Sequence, residues 1–503
     1  MKSPDPLHLL IQHLSQTEKR YFKRFSQLHG TKDSNYLLLF DAIDRMTVYS
    51  ESGLRGKLKG KTLLKHLSSE KNYLYHLILK SLRAYHADGS KNNELYNLMQ
   101  SIEILFEKGL YKQCEKLVQK AKKIAYTYEK NTLLLDVLAW EQKITRARFD
   151  LENLDETITE ENRIIGELQQ VVSLKIIFYR LTTFIDQRGV ARSKEELQRL
   201  DEIIRKDILQ KERPGWSYEA GVYYYMAWSD YYYAHGNLEK DYEYSRKLLQ
   251  FVTSYPQLLV QDVRVHVNAL SYFIIACLRL KRFDEAHHTL GQLKAYLPGL
   301  RKLTRDMEVR TYSLCVRLEL NYFRLTGQFE KGATLVQEVS SALSTKQRPL
   351  SKEQELVIGF FLAFFYWQAG NRKQTLHWIN HILSQKLRED ILCFTRILNL
   401  IFHYEQGNEM ILDHNIRSTK SYLKRKKKLF NTEIILLKYL EKLAEHEDQR
   451  DKLWPALFKQ MKENLTNPYE RTILDYFDLL AWIESKIEHK TLEEVVRERL
   501  VRK

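Results

Sequence analysis

Glycine and proline are scarce in this sequence, with 18 Gly and 8 Pro among 503 residues. Both residues destabilise helix interiors, and the chain is instead rich in Leu, Lys, Glu, Tyr and Ile. Strand-type alternation of apolar and polar residues, bounded by turn pairs, is also lacking. These features exclude a β-rich chain and predict an all-α protein.

Cysteine and long apolar runs are scarce as well. Cys114, Cys277, Cys315 and Cys393 form no C-x-x-C pair and fall in helical apolar stripes, so we expect four reduced packing residues. The longest apolar run, residues 356–367, has 12 residues, fewer than the roughly 20 that cross a bilayer as a helix. The first 20 residues lack a signal-peptide apolar core. We therefore expect a cytoplasmic protein without a membrane span.

Motifs for catalysis and for cofactor binding are not found either. The sequence has no Gly-rich phosphate loop, no nucleophile elbow and no recognisable pair of catalytic carboxylates. His377 and His381 share one helix face as zinc ligands do, but Trp378 stands where a metalloprotease helix carries its Glu. We predict a non-enzymatic protein with no catalytic residues, no cofactor and no metal site.

What the sequence does contain is a recurring turn between two amphipathic helical stretches. Successive turns lie 37 to 47 residues apart, which is the period of stacked helical repeats. The turn positions are Gly109, Glu152, Gly189, Gly236, Lys281, Gly327, Gly370 and Gly407.

The clearest repeat unit surrounds Gly109. Glycine favours a helix end at this position, Tyr111 packs back across the turn, and Cys114, Val118 and Ala121 form an i, i+4, i+7 stripe. This pattern resembles the tetratricopeptide family, whose hairpins carry Gly at the turn, an aromatic residue two positions later and a small residue three after that. The resemblance covers about residues 95–430, with a unit longer than the family's roughly 34 residues.

The resemblance implies a right-handed α-solenoid of about eight hairpins over residues 91–430. We expect a helical N-terminal domain at residues 1–90 before it. A C-terminal helical cap, residues 431–503, is expected to begin near Asn431.

The first 90 residues differ in charge, with 15 basic and 8 acidic side chains. Ser15 and Glu18 form a capping-box pattern that predicts a helix start, and residues 35–46 and 69–86 are predicted helices. Two strings, residues 15–25 and 71–83, also look like segments of uncharacterised bacterial helical-repeat proteins.

A basic, glycine-punctuated stretch precedes the last of these helices and could engage phosphate as a helix-turn-helix does. A solvated basic helix surface is the alternative. The candidate nucleic-acid contacts are Lys19, Arg20, Lys23, Arg24, Arg55, Lys57, Lys59, Lys61 and Lys65.

In the tetratricopeptide family the ligand lies along the inner faces of the first helices of the hairpins. The matching positions here are strongly aromatic, which suits a protein or peptide ligand, although helices that are apolar all round can simply be buried between neighbours. Arg317 and Asn321 resemble half of the family's carboxylate clamp, whose other half is missing. The candidate groove residues are Tyr223, Met226, Asp230, Tyr233, Arg317, Asn321, Phe360, Phe364 and Trp367.

Together these observations predict a scaffold or adaptor that binds a protein or peptide in the groove of a helical solenoid. The alternative is a regulator whose basic N-terminal domain binds DNA or RNA. The sequence leaves open the oligomeric state, the identity of the partner, and whether the chain fills its own groove.

Overall fold

The computed structural model describes residues 5–28, 35–87, 89–205, 209, 216–260, 262–296, 305–344 and 350–502. Within these ranges every regular element is a helix, as the composition predicts, and no strand is present. None of the helices in the described part of the chain has the length and apolarity needed to cross a membrane. The chain divides into two compact units, residues 1–165 and 166–503.

The first unit contains eight complete helices and the start of a ninth among its described residues. Their bounds are α1 Pro6–His13, α2 Gln16–Leu28, α3 Asn35–Asp44, α4 Glu51–Lys57, α5 Leu67–Tyr85, α6 Lys91–Glu107, α7 Tyr111–Thr127, α8 Asn131–Ala147 and α9 Leu151–Arg188.

Helices α1 to α5 pack around one apolar core that includes Phe22, Phe40 and Leu74. The predicted capping box is confirmed: the backbone N–H of Glu18 donates to Ser15 Oγ at 3.2 Å, and the Ser15 N–H donates to Glu18 Oε2 at 2.8 Å. Both predicted helices are found with slightly different ends, as α3 and α5. Helices α6, α7 and α8 then pack against one another in succession.

The second unit holds the end of α9 and all later helices. Their bounds are α10 Lys194–Ile204, α11 Tyr218–His235, α12 Leu238–Thr253, α13 Pro256–Leu259, α14 Val263–Arg279, α15 Phe283–Tyr296, α16 Arg305–Leu325, α17 Phe329–Ser344, α18 Lys352–Gln368, α19 Arg372–Leu383, α20 Glu389–Glu405, α21 Glu409–Arg425, α22 Asn431–Glu445, α23 Arg450–Asn464, α24 Ile473–Tyr476, α25 Leu479–Ile487 and α26 Leu492–Val501.

At seven of the eight turn positions predicted from spacing, the residue adopts the left-handed backbone conformation that ends an α-helix. All six glycines have positive φ, and Lys281 adopts φ 61° in the same role. Glu152 is wrong as a turn position: it lies in the first turn of α9, and Phe149 with φ 59° makes the turn instead. The hairpin expected between Glu152 and Gly189 is also absent, because α9 runs unbroken for 38 residues.

Helices of the second unit pack mainly on their sequence neighbours. From α11 to α21 each long helix contacts the next, and the first helices of successive hairpins, α11, α14, α16, α18 and α20, also contact one another. Two apolar cores lie among them: one runs from Tyr242 on α12 to Leu318 on α16, and the other from Val316 on α16 to Val496 on α26. The four cysteines are free, as expected, and all but the partly buried Cys315 are fully buried.

A buried ion pair joins the start of α10 to α22 in the second unit. Arg192, just before α10, donates from Nη1 and Nη2 to the two carboxylate oxygens of Glu433 on α22, at 2.7 and 3.1 Å. Its guanidinium lies 3.7 Å from the centroid of the Phe430 ring. A contact between residues 241 positions apart therefore connects the start of α10 with the start of α22.

Candidate functional site

One surface of the second unit combines arginine and aromatic side chains from the first helices of its hairpins. Tyr233, Arg324 and Trp367 each lie three residues before the left-handed residue that ends their helix, and Arg279 lies two before. Contacts of these residues with one C-terminal segment, or with one another, place them on one surface. We call it the central face, and it consists of Tyr233, Arg279, Arg317, Arg324, Phe360, Phe364, Trp367, Arg388, Asp390 and Phe394.

A C-terminal segment of the same chain lies across the central face. We call residues 469–478 the crossing segment. It begins within the 3₁₀ turn Pro468–Glu470, continues through the single helical turn α24, and reaches Phe477 in extended conformation, with φ −149° and ψ 129°. The sequence did not decide whether the chain fills its own binding surface. At the central face, residues 469–478 of the chain itself occupy that surface.

The aromatic part of the central face contacts Tyr476 and Phe477. Tyr476 stacks on Phe394 with ring centroids 3.9 Å apart, and Phe477 lies 6.3 Å from Phe364 and 6.0 Å from Trp367. Because Phe477 is buried and Tyr476 is partly buried, burial of apolar area is the main stabilising contribution here.

Tyr476 also has a polar anchor on this face. Its hydroxyl donates to Asp390 Oδ2 at 2.7 Å, and Arg388 donates to both oxygens of the same carboxylate at 2.9 and 2.7 Å. Burial raises the pKa of the Tyr476 hydroxyl well above its usual range, and the Asp390 charge raises it further. The hydroxyl is therefore a permanent donor to Asp390.

The basic part of the central face holds Asp475. Arg279 donates from Nη2 and Nε to the two oxygens of this carboxylate at 3.3 and 3.5 Å, and Arg324 donates to the Asp475 backbone carbonyl at 2.7 Å. The Arg279 guanidinium also lies 4.3 Å from the Tyr233 ring centroid. Burial alone would lower the pKa of Arg279, but Asp475, Tyr233 and Asp241 outweigh it and raise the pKa. Both arginines thus hold the segment by charge and by hydrogen bonds.

Arg317 and Asn321, predicted as half of a carboxylate clamp, differ in availability. Asn321 Oδ1 accepts from Arg324 Nε and Nη2 at 3.2 and 2.8 Å, so it orients Arg324 rather than a ligand. Arg317 is partly buried and makes no hydrogen bond or ion pair with any residue that the structure describes. Burial lowers its pKa, and the nearby charge of Arg388 lowers it further. Tyr233 and Glu353 oppose that lowering at longer range, so Arg317 is a desolvated cation that no carboxylate of the described residues contacts directly.

The other predicted groove residues lie away from the crossing segment. Met226 is buried, and Tyr223 packs on Phe178 of α9 with ring centroids 5.5 Å apart. Asp230 is also buried, and it accepts hydrogen bonds from the hydroxyls of Thr182 and Tyr272. These three residues join α11 to its neighbours, whereas Tyr233, Arg317, Phe360, Phe364 and Trp367 belong to the central face.

Sequence reasoning missed Asp475, Tyr476 and Phe477 because it treated everything after residue 430 as a cap. The string Asp-Tyr-Phe-Asp at 475–478 does not continue a long amphipathic period, which is a signal that no long helix runs through it; α24 is a single turn that ends at Tyr476. Arg279 and Arg324 could have been found by comparing positions near successive turns.

The basic candidates in the first unit fall into two groups. Lys19 pairs with Asp44, Lys23 with Asp41, and Arg55 with Glu51. The others are exposed and form no ion pair within the described parts of the chain; they are Arg20, Arg24, Lys57, Lys59, Lys61 and Lys65.

No group of three or more His, Cys, Asp or Glu side chains suited to a metal ion occurs among the described residues. Comparison with known proteins also gives no identity: no family model matches the sequence, and no match was found among curated proteins or among solved structures. The tetratricopeptide-like resemblance and the domain boundary at residue 90 therefore stay predictions.

Proposed function

We propose that this protein is a non-enzymatic scaffold or adaptor that binds a protein or peptide on the central face. The proposal includes the architecture expected from the repeat, a right-handed tetratricopeptide-like α-solenoid. The succession of neighbour contacts from α11 to α21 supports this arrangement, because stacked hairpins contact only the units beside them.

The observation that carries the proposal is the crossing segment. The central face already holds a short stretch of polypeptide, helical over Ile473–Tyr476 and extended at Phe477, through a carboxylate, a backbone carbonyl and two aromatic rings. These are the contacts by which grooves bind extended peptides, with aromatic and arginine anchors contributing most of the affinity.

Arg317 supports a ligand beyond the crossing segment. A partly buried guanidinium without an anion carries a desolvation cost that a bound carboxylate or phosphate would offset. Because Arg317 lies on the same helix as Arg324, an anionic group of a partner would meet it beside the segment's own site.

We expect Arg317→Ala to weaken partner binding about tenfold to a hundredfold, the loss of one charged hydrogen bond of roughly 1.5–3 kcal/mol. The measurement is capture from the native cell by tagged protein, followed by titration of the captured partner. The melting temperature should stay the same or rise, since no ion pair of the folded chain is lost.

Arg310→Ala is the matched control, because Arg310 lies on the same helix but is exposed and pairs with Asp306. If the Arg317→Ala and Arg310→Ala variants capture the same partner equally well, binding at the central face is contradicted.

A second candidate function, nucleic-acid binding by the first unit, is favoured by one observation. Lys57, Lys59, Lys61 and Lys65 are exposed between the start of α4 and α5, and none is neutralised by an acidic partner in the described ranges. Such a cluster can contact phosphates and release counterions.

For this candidate we expect full-length protein to bind duplex or single-stranded probes with an affinity that falls steeply with salt, measured by fluorescence anisotropy. Lys59→Glu with Lys61→Glu should lower the affinity and flatten the salt dependence by about one unit of slope per lost phosphate contact. Lys112→Glu with Lys116→Glu changes the net charge equally on α7 and should have a smaller effect. Absence of salt-sensitive binding at low ionic strength would remove this candidate.

A further inference from the structure

The crossing segment indicates which peptide chemistry the central face recognises. We propose that the face binds a partner peptide carrying an acidic residue followed by two aromatic residues, and that Asp475, Tyr476 and Phe477 are the chain's own replaceable occupant. This inference rests on the proposed function, since it specifies the ligand of the same surface.

Each of the three residues meets groups of matching chemistry. The Asp475 carboxylate faces the two donors of Arg279, an arrangement specific for a carboxylate. The Tyr476 ring stacks on Phe394 while its hydroxyl reaches Asp390, so this position accepts a ring with a polar tip. Phe477 packs against the rings of Phe364, Trp367 and Trp482 and is 4% exposed.

The backbone of the segment is recognised as well. Arg324 donates to the carbonyl of Asp475, a group that every peptide carries, and Asn321 holds this guanidinium in place. The face therefore combines a contact independent of sequence with side-chain contacts that select an acid and two aromatic residues.

The segment is fixed at its ends, and the weakest of its contacts between them are those of the Asp475 side chain. At its start Glu470, which is 4% exposed, accepts from the backbone N–H of Thr432 at 2.9 Å. After it, Leu479 and Trp482 are buried in the core. Between these anchors the Asp475 side chain is 31% exposed, and its distances to Arg279 exceed the roughly 2.7–2.9 Å of a strong charged hydrogen bond. Ile473 and Phe477 are 0% and 4% exposed and belong to the core, so opening of residues 473–478 is a sub-global event that costs the burial of these two side chains.

A partner can compete with this internal occupant because the occupant leaves Arg317 unpaired. The tethered segment has an effective concentration on the order of millimolar, so a peptide that makes only the same contacts binds weakly in trans. A partner that also places an anion on Arg317 gains an interaction that the crossing segment does not make.

The test uses full-length protein and a fluorescein-labelled synthetic peptide copying residues 469–478, Tyr-Glu-Arg-Thr-Ile-Leu-Asp-Tyr-Phe-Asp. An opened variant, Asp475→Ala with Tyr476→Ala, weakens the internal occupant and leaves the face unchanged. We expect this variant to bind the peptide at least tenfold more tightly than the unmodified chain. Adding Arg279→Ala should abolish that gain, whereas adding Arg310→Ala should preserve it, and a scrambled peptide should not bind.

An opened variant that keeps the helical circular dichroism of the unmodified chain yet binds the peptide no more tightly would overturn the inference.

Hydrogen exchange on the unmodified chain gives a second test that needs no variant. Amides of residues 473–478 should exchange faster than those of α18, and saturating peptide should speed them further. If the amides of residues 473–478 exchange no faster than those of α18, the crossing segment is a fixed part of the core and the inference is wrong.

The two proposals fail differently. If Arg317→Ala loses the cellular partner but the opened variant ignores the peptide, the face binds a protein and the acidic–aromatic motif is wrong. If the opened variant binds the peptide but Arg317→Ala captures the cellular partner as well as the unmodified chain does, the acidic–aromatic motif is supported, and the captured partner binds elsewhere.

Discussion

Replacing Arg192 with alanine should destabilise the second unit by about 3–5 kcal/mol, the usual cost of removing one member of a buried ion pair. The Arg192 and Glu433 side chains are 5% and 3% exposed. Arg192 also donates from Nε to the Tyr469 carbonyl at 3.0 Å, and its Nη2 lies 3.5 Å from Glu470. The substitution therefore leaves two buried carboxylates without their common cation.

Urea unfolding of the full chain, followed by far-ultraviolet circular dichroism, measures this loss. Arg188→Ala is the matched control: Arg188 pairs with Glu196 nearby in sequence, but its side chain is 41% exposed, so we expect at most about 1 kcal/mol. Arg192→Met combined with Glu433→Gln should recover part of the stability, because no uncompensated charge then remains at that pair. If Arg192→Ala and Arg188→Ala unfold at the same urea concentration, the contact between Arg192 and Glu433 does not hold α10 and α22 together.

The helix ends were largely predictable from the sequence, because glycine tolerates the left-handed conformation that ends a helix. The spacing even located Lys281, a residue that adopts φ 61° without being glycine. The same reasoning failed at Glu152, where Phe149 makes the turn. Nothing in a local pattern distinguishes a phenylalanine that bears positive φ from one inside a helix, so spacing alone misplaced the turn by three residues.

The central face was predictable only in part. Phe360, Phe364 and Trp367 were found because an aromatic inner face repeats at helical spacing. The crossing segment was not found, since Asp475 and Arg279 are 196 residues apart in sequence. Pairing over such a distance depends on how the hairpins stack, which no local periodicity encodes. The role of Arg192 was missed for the same reason.

The stability of the unmodified chain should fall as pH rises from about 4 to about 7, and Asp230→Asn should abolish most of that decrease. Asp230 is 7% exposed, and burial raises the pKa of its carboxyl from 3.8 to about 7, although hydrogen bonds from Tyr272 and Thr182 offset part of that effect. A carboxyl with a raised folded-state pKa binds its proton more tightly in the fold than in the unfolded chain. Its contribution to stability is therefore complete below pH 3.8 and is lost as pH rises through 7.

The size of this loss follows from the shift, which at 1.36 kcal/mol per unit corresponds to about 4 kcal/mol. Asparagine imitates the neutral acid: its oxygen can accept from Tyr272, and its amide can donate to Thr182, whose own hydroxyl also reaches the Phe178 carbonyl. Above pH 7 the variant should thus be more stable than the unmodified chain by about 4 kcal/mol, and near pH 5 this difference should shrink to about 1.6 kcal/mol.

Urea unfolding at a series of pH values from 5 to 8 tests this expectation. Asp284→Asn, an exposed carboxylate in the first turn of α15, is the control and should follow the profile of the unmodified chain. Some slope should persist in Asp230→Asn, because burial also raises the pKa of Asp241 to about 6 despite the opposing charge of Arg279. A profile for Asp230→Asn that parallels the unmodified chain across the whole range would mean that Asp230 is ionised inside the fold, with its charge balanced by Tyr272 and Thr182 alone.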